Sequence, residues 1–279
     1  MTTFGWPPKL GIDLSGGVNL VYEVDQAKKI DDRTLGKAEM DRLIEAVNRR
    51  VNPGGVKEIT VRQIGIEQIE ITIPYVDEAE ARRIESDVSR AGTLEFRILA
   101  NDRDHRALIE RAQVENTKVI RDSDGNELGR WVPVDPTQLA SFENYPEIAR
   151  RTRPVGEKVI QEILVVKDDF DVTGGYLRQA TPGADEGGQP CVNFSFNPAG
   201  ARLFGGLTGA NTPDKVQDFT RKLGIILDGE LYSAPSIKSA IFDRGEISGR
   251  FTKEEVRSLV GVLNAGALPT ALATEPLRR

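Results

Sequence analysis

Apolar residues in the first hundred positions alternate between two periods. Val18, Leu20, Tyr22 and Val24 recur every second residue, the spacing of a strand with one buried face. Met40, Leu43, Ile44, Val47 and Val51 then share one face of a helix, which Pro53-Gly54-Gly55 stops. Two strand-like runs follow, 58–64 and 68–73, joined by a turn around Gly65. Asp77 and Glu80 have the spacing of a capping box. Behind them Ala81, Ile84, Val88 and Ala91 form the buried stripe of a second helix ending at Gly92, and residues 93–99 read as a fourth strand. The order β-α-β-β-α-β predicts an α+β, ferredoxin-like domain. Its two helices should cover one face of a four-stranded antiparallel sheet.

From 101 to 185 the pattern loosens. Ala107, Leu108 and Ala112 suggest a short helix, and the turn Asp122-Ser123-Asp124-Gly125-Asn126 separates strand-like residues 119–120 and 131–134. Residues 142–155 are interrupted by prolines and read as loop, 160–166 as strand, and 182–188 as a glycine-rich acidic turn. Regularity returns at 191–196, a strand leading into Asn197-Pro198, a helix cap with proline at the first helical position. Residues 223–227 and 231–234 flank Asp228-Gly229, another hairpin signal. Thr252 and Glu255 repeat the capping box, with Phe251 and Val256 placed as a staple. Val256, Leu259, Val260 and Leu263 line that helix, Gly266 closes it, and 268–272 is strand-like. The expected organisation is a base of residues 1–100 completed by 268–279, with an inserted α+β head of residues 101–267.

Hydrophobic residues at 39% and charged residues at 29% suit a folded core. A net charge of -6 argues against a nucleic-acid partner, whose phosphates reward basic faces. The single cysteine, Cys191, rules out an intramolecular disulfide and leaves the compartment open. No segment reaches the ~18–20 apolar residues that span a bilayer, and residues 1–9 carry no apolar signal-peptide core. For a whole protein this favours a cytosolic two-domain ligand-binding protein. For a piece of a longer one it leaves location undecided.

Catalytic chemistry is thinly represented. The single histidine, His105, stands in the charged run Asp102-Arg103-Asp104-His105-Arg106 and reads as a solvated surface residue without partners for a metal site. Cys191 sits in an apolar run and reads as a buried, inert thiol. Residues 122–127 lack the distal glutamate of a calcium loop, and Gly16-Gly17 precedes a strand instead of the helix a phosphate cradle uses. The carboxylates at 78–85 and 168–171 read as solvated faces. The expectation is therefore no catalytic residue, no metal and no cofactor.

Several ordered segments carry a resemblance. Leu10-Gly11-Ile12-Asp13-Leu14-Ser15-Gly16-Gly17 is similar to the Gly-Leu-Asp-Leu-x-Gly-Gly signature of the SecD family, with Ile12 and Ser15 as variations. Gly92-Thr93-Leu94-Glu95-Phe96-Arg97 resembles a family strand, and residues 173–180, 192–196 and 200–208 resemble its central pattern. Leu223-Gly224-Ile225-Ile226-Leu227-Asp228-Gly229 with Ser233-Ala234-Pro235, then 247–252 and 263–269, resemble its C-terminal blocks. Residues 101–165 carry no family motif.

The resemblance implies a bacterial inner-membrane protein whose present region faces the periplasm or cell exterior. It also implies an apolar span of ~20 residues before Met1 and another after Arg279. The implied role is non-catalytic. The domain would bind emerging, unfolded preprotein and swing between base and head orientations during proton-gradient-driven export, alongside SecF and the SecYEG channel. Asp13, Gly16, Gly17, Asp228 and Gly229 would be family-motif residues with a shaping role. The inserted arrangement predicts hinges at Leu99, Ala100, Gly266 and Pro269. The surface that contacts preprotein is not specified by the sequence.

Overall fold

The computed structural model describes residues 17–24, 36–52, 55, 58–142, 145, 147–156, 158–216, 218–268, 270, 272–273 and 275–277. Two compact units divide the chain. Met1–Ala91 with Leu268–Arg279 form the first, and Gly92–Ala267 form the second.

In the first unit, β1 (Gly17–Glu23), α1 (Lys37–Val51), β2 (Thr60–Ile64), β3 (Gln68–Pro74) and α2 (Glu78–Ser89) follow in order. The antiparallel sheet runs β1-β3-β2. Leu20, Tyr22 and Val24 from β1 and its end, and Ile69, Ile71 and Ile73 from β3, project to one face. There they meet Met40, Leu43 and Val47 of α1 and Ile84 and Val88 of α2, all buried. The opposite face is polar: Glu70 accepts from Asn19 at 2.8 Å and pairs with Arg62. Asp77 caps α2 by accepting from the Glu80 amide at 2.8 Å.

The strand predicted at 93–99 does not complete this sheet. Leu94–Ile98 belongs to the second unit, and the edge beside β1 is taken by the C-terminal segment. Val24 bridges Leu272, the Ala273 amide donates to the Glu23 carbonyl at 2.9 Å, and the Leu277 amide donates to Val21 at 2.7 Å. The ferredoxin-like order therefore holds, with the insert placed before the fourth strand. The 1–100 boundary moves accordingly to the end of α2. Alternating apolar residues fix a strand but not its partner, which is why the two placements read alike in sequence.

The second unit holds three sheets. β4 (Leu94–Ile98), β9 (Val172–Thr173), β12 (Leu223–Leu227) and β13 (Glu230–Ser233) pair in the order β13-β12-β4-β9. β10 (Leu177–Ala184), β11 (Pro190–Phe196) and β14 (Arg244–Ile247) form a second sheet. Both pack with α5 (Pro198–Ala210) and α6 (Lys253–Ala265) around Phe96, Phe194, Phe196 and Phe204, whose neighbouring ring centroids lie 5.0–6.2 Å apart. Asn197 and Thr252 cap the two helices, Thr252 in a reciprocal box with Glu255.

The stretch without recognisable motifs is itself ordered. α3 (Arg106–Glu115) precedes β5 (Val119–Arg121), β6 (Glu127–Pro133), the short α4 (Leu139–Phe142), β7 (Arg150–Val155) and β8 (Lys158–Val166). Its antiparallel sheet runs β5-β6-β8-β7. The loop expected at 142–155 is thus part strand. Pro154 is tolerated because β7 lies at the sheet edge, where one side of the backbone needs no donor. Likewise β10 runs through Pro182 and Gly183, so the acidic turn predicted at 182–188 shrinks to the residues after Ala184.

Candidate functional site

Asp228 and Gly229 join β12 to β13 as a two-residue hairpin, with φ of +51° and +83°. Two left-handed residues in succession give the turn whose twist matches the strands it joins. Gly229 meets the requirement without a Cβ. Asp228 adds a clamp: its Oδ1 accepts from the Thr93 amide at 2.9 Å, and its own amide donates to the Thr93 carbonyl at 2.9 Å. The pair thereby holds the entry to β4. Gly17 opens β1, opposite Pro74. Asp13 and Gly16 lie outside the described residues, as does Pro269.

Of the residues expected to hinge, Leu99 and Ala100 lie inside the second unit, away from its boundary at Ala91–Gly92. Both are fully interior to the second unit. Leu99 donates to the Lys222 carbonyl at 3.1 Å and bridges Val165, while Ala100 donates to Leu164 at 2.9 Å and accepts from Ala149 at 3.0 Å. The chain instead passes between the units after Ala91 and again after Ala267. Each passage has a glycine beside it with positive φ, Gly92 at +72° and Gly266 at +83°. On the side of the first unit the two passages are tied together. The Ala91 carbonyl accepts from the Leu268 amide at 2.9 Å and from Arg50 Nη2 at 2.8 Å. Arg50, only 5% exposed, also reaches the Arg90 carbonyl.

His105 is not the solvated residue its charged neighbours suggest. It is half-buried at the start of α3, where Nδ1 accepts from the Asn101 amide at 3.3 Å. Burial lowers its pKa below the ordinary imidazole value, with Asp104 partly opposing. Cys191 is buried within β11, and burial raises its thiol. No group of three or more metal-ligating side chains occurs among the described residues.

Two buried charge networks escape a sequence reading. Glu162 on β8 is fully buried, accepting from Arg151 at 2.7 Å and from Arg153 at 3.0 Å. Burial pushes its carboxyl upward, but the two guanidiniums outweigh that and hold it below the usual carboxylate range. Asp171, predicted to be solvated, is half-buried, its side chain largely covered beside Arg97, and accepts from Lys167 at 2.9 Å. There burial wins and its pKa rises. These networks brace strands.

A surface feature of another kind lies on α5. Phe242 packs against Gly205 and Phe170 against Gly206, at positions any Cβ would fill. The rings remain 60% and 43% exposed respectively, so an aromatic pair faces solvent along one helix.

Comparison with known proteins decides the family. Residues 150–270 match the model of the SecDF P1 head subdomain, and residues 7–28 match that of the SecD/SecF GG motif. The chain belongs to the SecD/SecDF family. Protein translocase subunit SecD of Elusimicrobium minutum is 33% identical over 268 residues, covering 93% of this chain and 50% of that protein. A crystal structure of SecDF in a super-membrane-facing form superposes with a TM-score of 0.62 at 26% identity, over 96% of this chain and 31% of that one. A second solved structure, of a membrane component SecDF that enhances protein export, covers 94% of this chain and 99% of its own with a TM-score of 0.60. At 24% identity, that match supports the shared fold alone. The chain spans about half the length of these curated SecD relatives. The Asp228-Gly229 turn and the α5 aromatic pair both fall within the SecDF head match. No helix among the described residues is long and apolar enough to cross a membrane.

Proposed function

We propose that this region is the base and head of a Sec export accessory subunit, facing the periplasm or cell exterior. It would hold emerging, unfolded preprotein and turn its head relative to its base. The observation that carries this reading is the division into two separately cored units joined at only two passages, flanked by Gly92 and Gly266. A double connection restricts movement to rotation about the line through both passages. Arg50 and the Ala91–Leu268 bond give that line a firm seat on the base. The exposed Phe170 and Phe242 supply apolar contact that reads no particular sequence, as an unfolded client requires.

In this reading the work is mechanical, and the role needs no catalytic side chain. SecF, the SecYEG channel and the proton gradient would act through the rest of the protein, with the membrane reached through flanking helices. The test uses the full-length protein with Cys191 replaced and cysteine pairs bridging base and head. Export stimulation should fall when crosslinking is complete and return on reduction. Undiminished stimulation in every crosslinked orientation overturns the swinging head.

A further inference from the structure

Within the second unit a cavity of about 240 Å³ opens between Leu99, Asn101, Tyr145, Ile148, Phe219 and Lys222. One part of its wall is apolar, with Leu99, Ile148 and Phe219 buried and Tyr145 beside them, while Glu147, Thr220 and Arg221 line the polar remainder. Three cations approach, but they are not equivalent. Arg221 is committed to Asp104 through two bonds of 2.8 and 3.0 Å and to the Thr212 carbonyl at 2.9 Å. Arg103 faces Glu147 at 3.8 Å and stacks 4.6 Å above the Phe219 ring. Lys222 has no carboxylate within ion-pair distance among the described residues. Its ammonium donates to Ser236 Oγ at 2.8 Å and sits 3.9 Å over the Tyr145 ring. Burial lowers its pKa, with Glu147 partly opposing.

We infer that this cavity binds a monocarboxylate with an apolar body, its carboxylate on Lys222 and its hydrocarbon against Leu99, Ile148 and Phe219. The chemistry selects that class. One uncommitted ammonium can neutralise one negative charge, whereas a phosphate calls for several free donors and both guanidiniums are engaged. The apolar walls reward an aryl or branched alkyl group, and the volume suits a group of about that size. Two sources share this chemistry, a free small acid and the C-terminal residue of a polypeptide. The site does not depend on the proposed head movement, so its failure would leave that reading intact.

The test is titration of the isotopically labelled protein with 3-phenylpropionate, followed by NMR. Binding with a Kd on the order of millimolar is expected for a ligand of this size. Shifts should cluster at Leu99, Asn101, Ile148, Phe219 and Lys222. The neutral 3-phenylpropanamide should bind at least about tenfold more weakly, as should the Lys222→Met protein. Absence of clustered shifts, or equal binding of acid and amide by the unaltered protein, overturns the inference without relying on any variant. A short peptide ending in phenylalanine, compared with its C-terminal amide, separates the sources. Preference for the free-carboxylate peptide supports a chain terminus as occupant. Binding of 3-phenylpropionate alone supports a small acid.

Discussion

Replacing Asp228 separates a shaping residue from one that touches a client. Asp228→Ala keeps the hairpin length but forces alanine to φ +51°, and it removes the carboxylate that accepts from the Thr93 amide at 2.9 Å. A left-handed alanine costs about 1–2 kcal/mol, and the lost hydrogen bond about 0.5–1.5 kcal/mol. The second unit should therefore lose about 1.5–3.5 kcal/mol in all. Asp228→Asn retains an acceptor and tolerates the conformation, so its loss should stay under about 0.5 kcal/mol. Denaturant unfolding followed by Trp131 emission reads this directly, in a Trp6→Phe background. Trp131 is fully buried in the same unit, and its strand joins the hairpin through the Val134–Leu231 bridge. The reasoning is refuted if Asp228→Ala unfolds at the unaltered denaturant midpoint while the full-length protein loses export support. That pair of results would assign Asp228 to contact instead of shape.

Three further outcomes follow from the same contacts. Glu162 titrates below its ordinary value of 4.5 when folded, so the unfolded chain takes up protons first as pH falls. Its stabilisation is whole above about pH 4.5 and drains below it, and Glu162→Gln should flatten the dependence of the denaturation midpoint on pH there; an unchanged acid limb contradicts the network. Arg50→Met strips the donors from the Arg90 and Ala91 carbonyls and should destabilise the first unit by about 2–4 kcal/mol; hydrogen exchange should quicken in β1, β3 and α2, and uniform protection would dismiss the clamp. Replacing Phe170 and Phe242 together by serine should weaken binding of an unfolded, dye-labelled polypeptide at least about tenfold with little loss of stability, whereas unaltered affinity removes α5 from the client surface.

Much of this arrangement is written locally in the chain. Asp77, Asn197 and Thr252 announce their helices because capping chemistry depends on neighbours two or three residues away. Asp228-Gly229 announces its hairpin for the same reason. What escapes sequence is pairing over long separations. The run around Phe96 looks like the strand that closes the first sheet, yet it aligns with Ile225 in the second unit. Reading it so sets the expected boundary at Leu99 and Ala100, whereas the units divide after Ala91. The buried ion pairs were illegible too: Glu162 meets Arg151 and Arg153 only because β7 and β8 pair, in a stretch whose prolines suggest loop. The aromatic pair on α5 needs Phe170 and Phe242, from opposite sides of the helix in sequence, to converge on two adjacent glycines.

Single-molecule energy transfer in the full-length protein tests the moving head most directly. One dye is placed at exposed position 83 on α2 and another at Val114, 85% exposed on α3, with Cys191 replaced by alanine. A control pair at Val114 and Val216 lies wholly within the second unit. During active export the base-to-head pair should interconvert between two efficiencies while the control pair holds one value. A single unchanging efficiency for the base-to-head pair while polypeptide continues to cross would contradict the account.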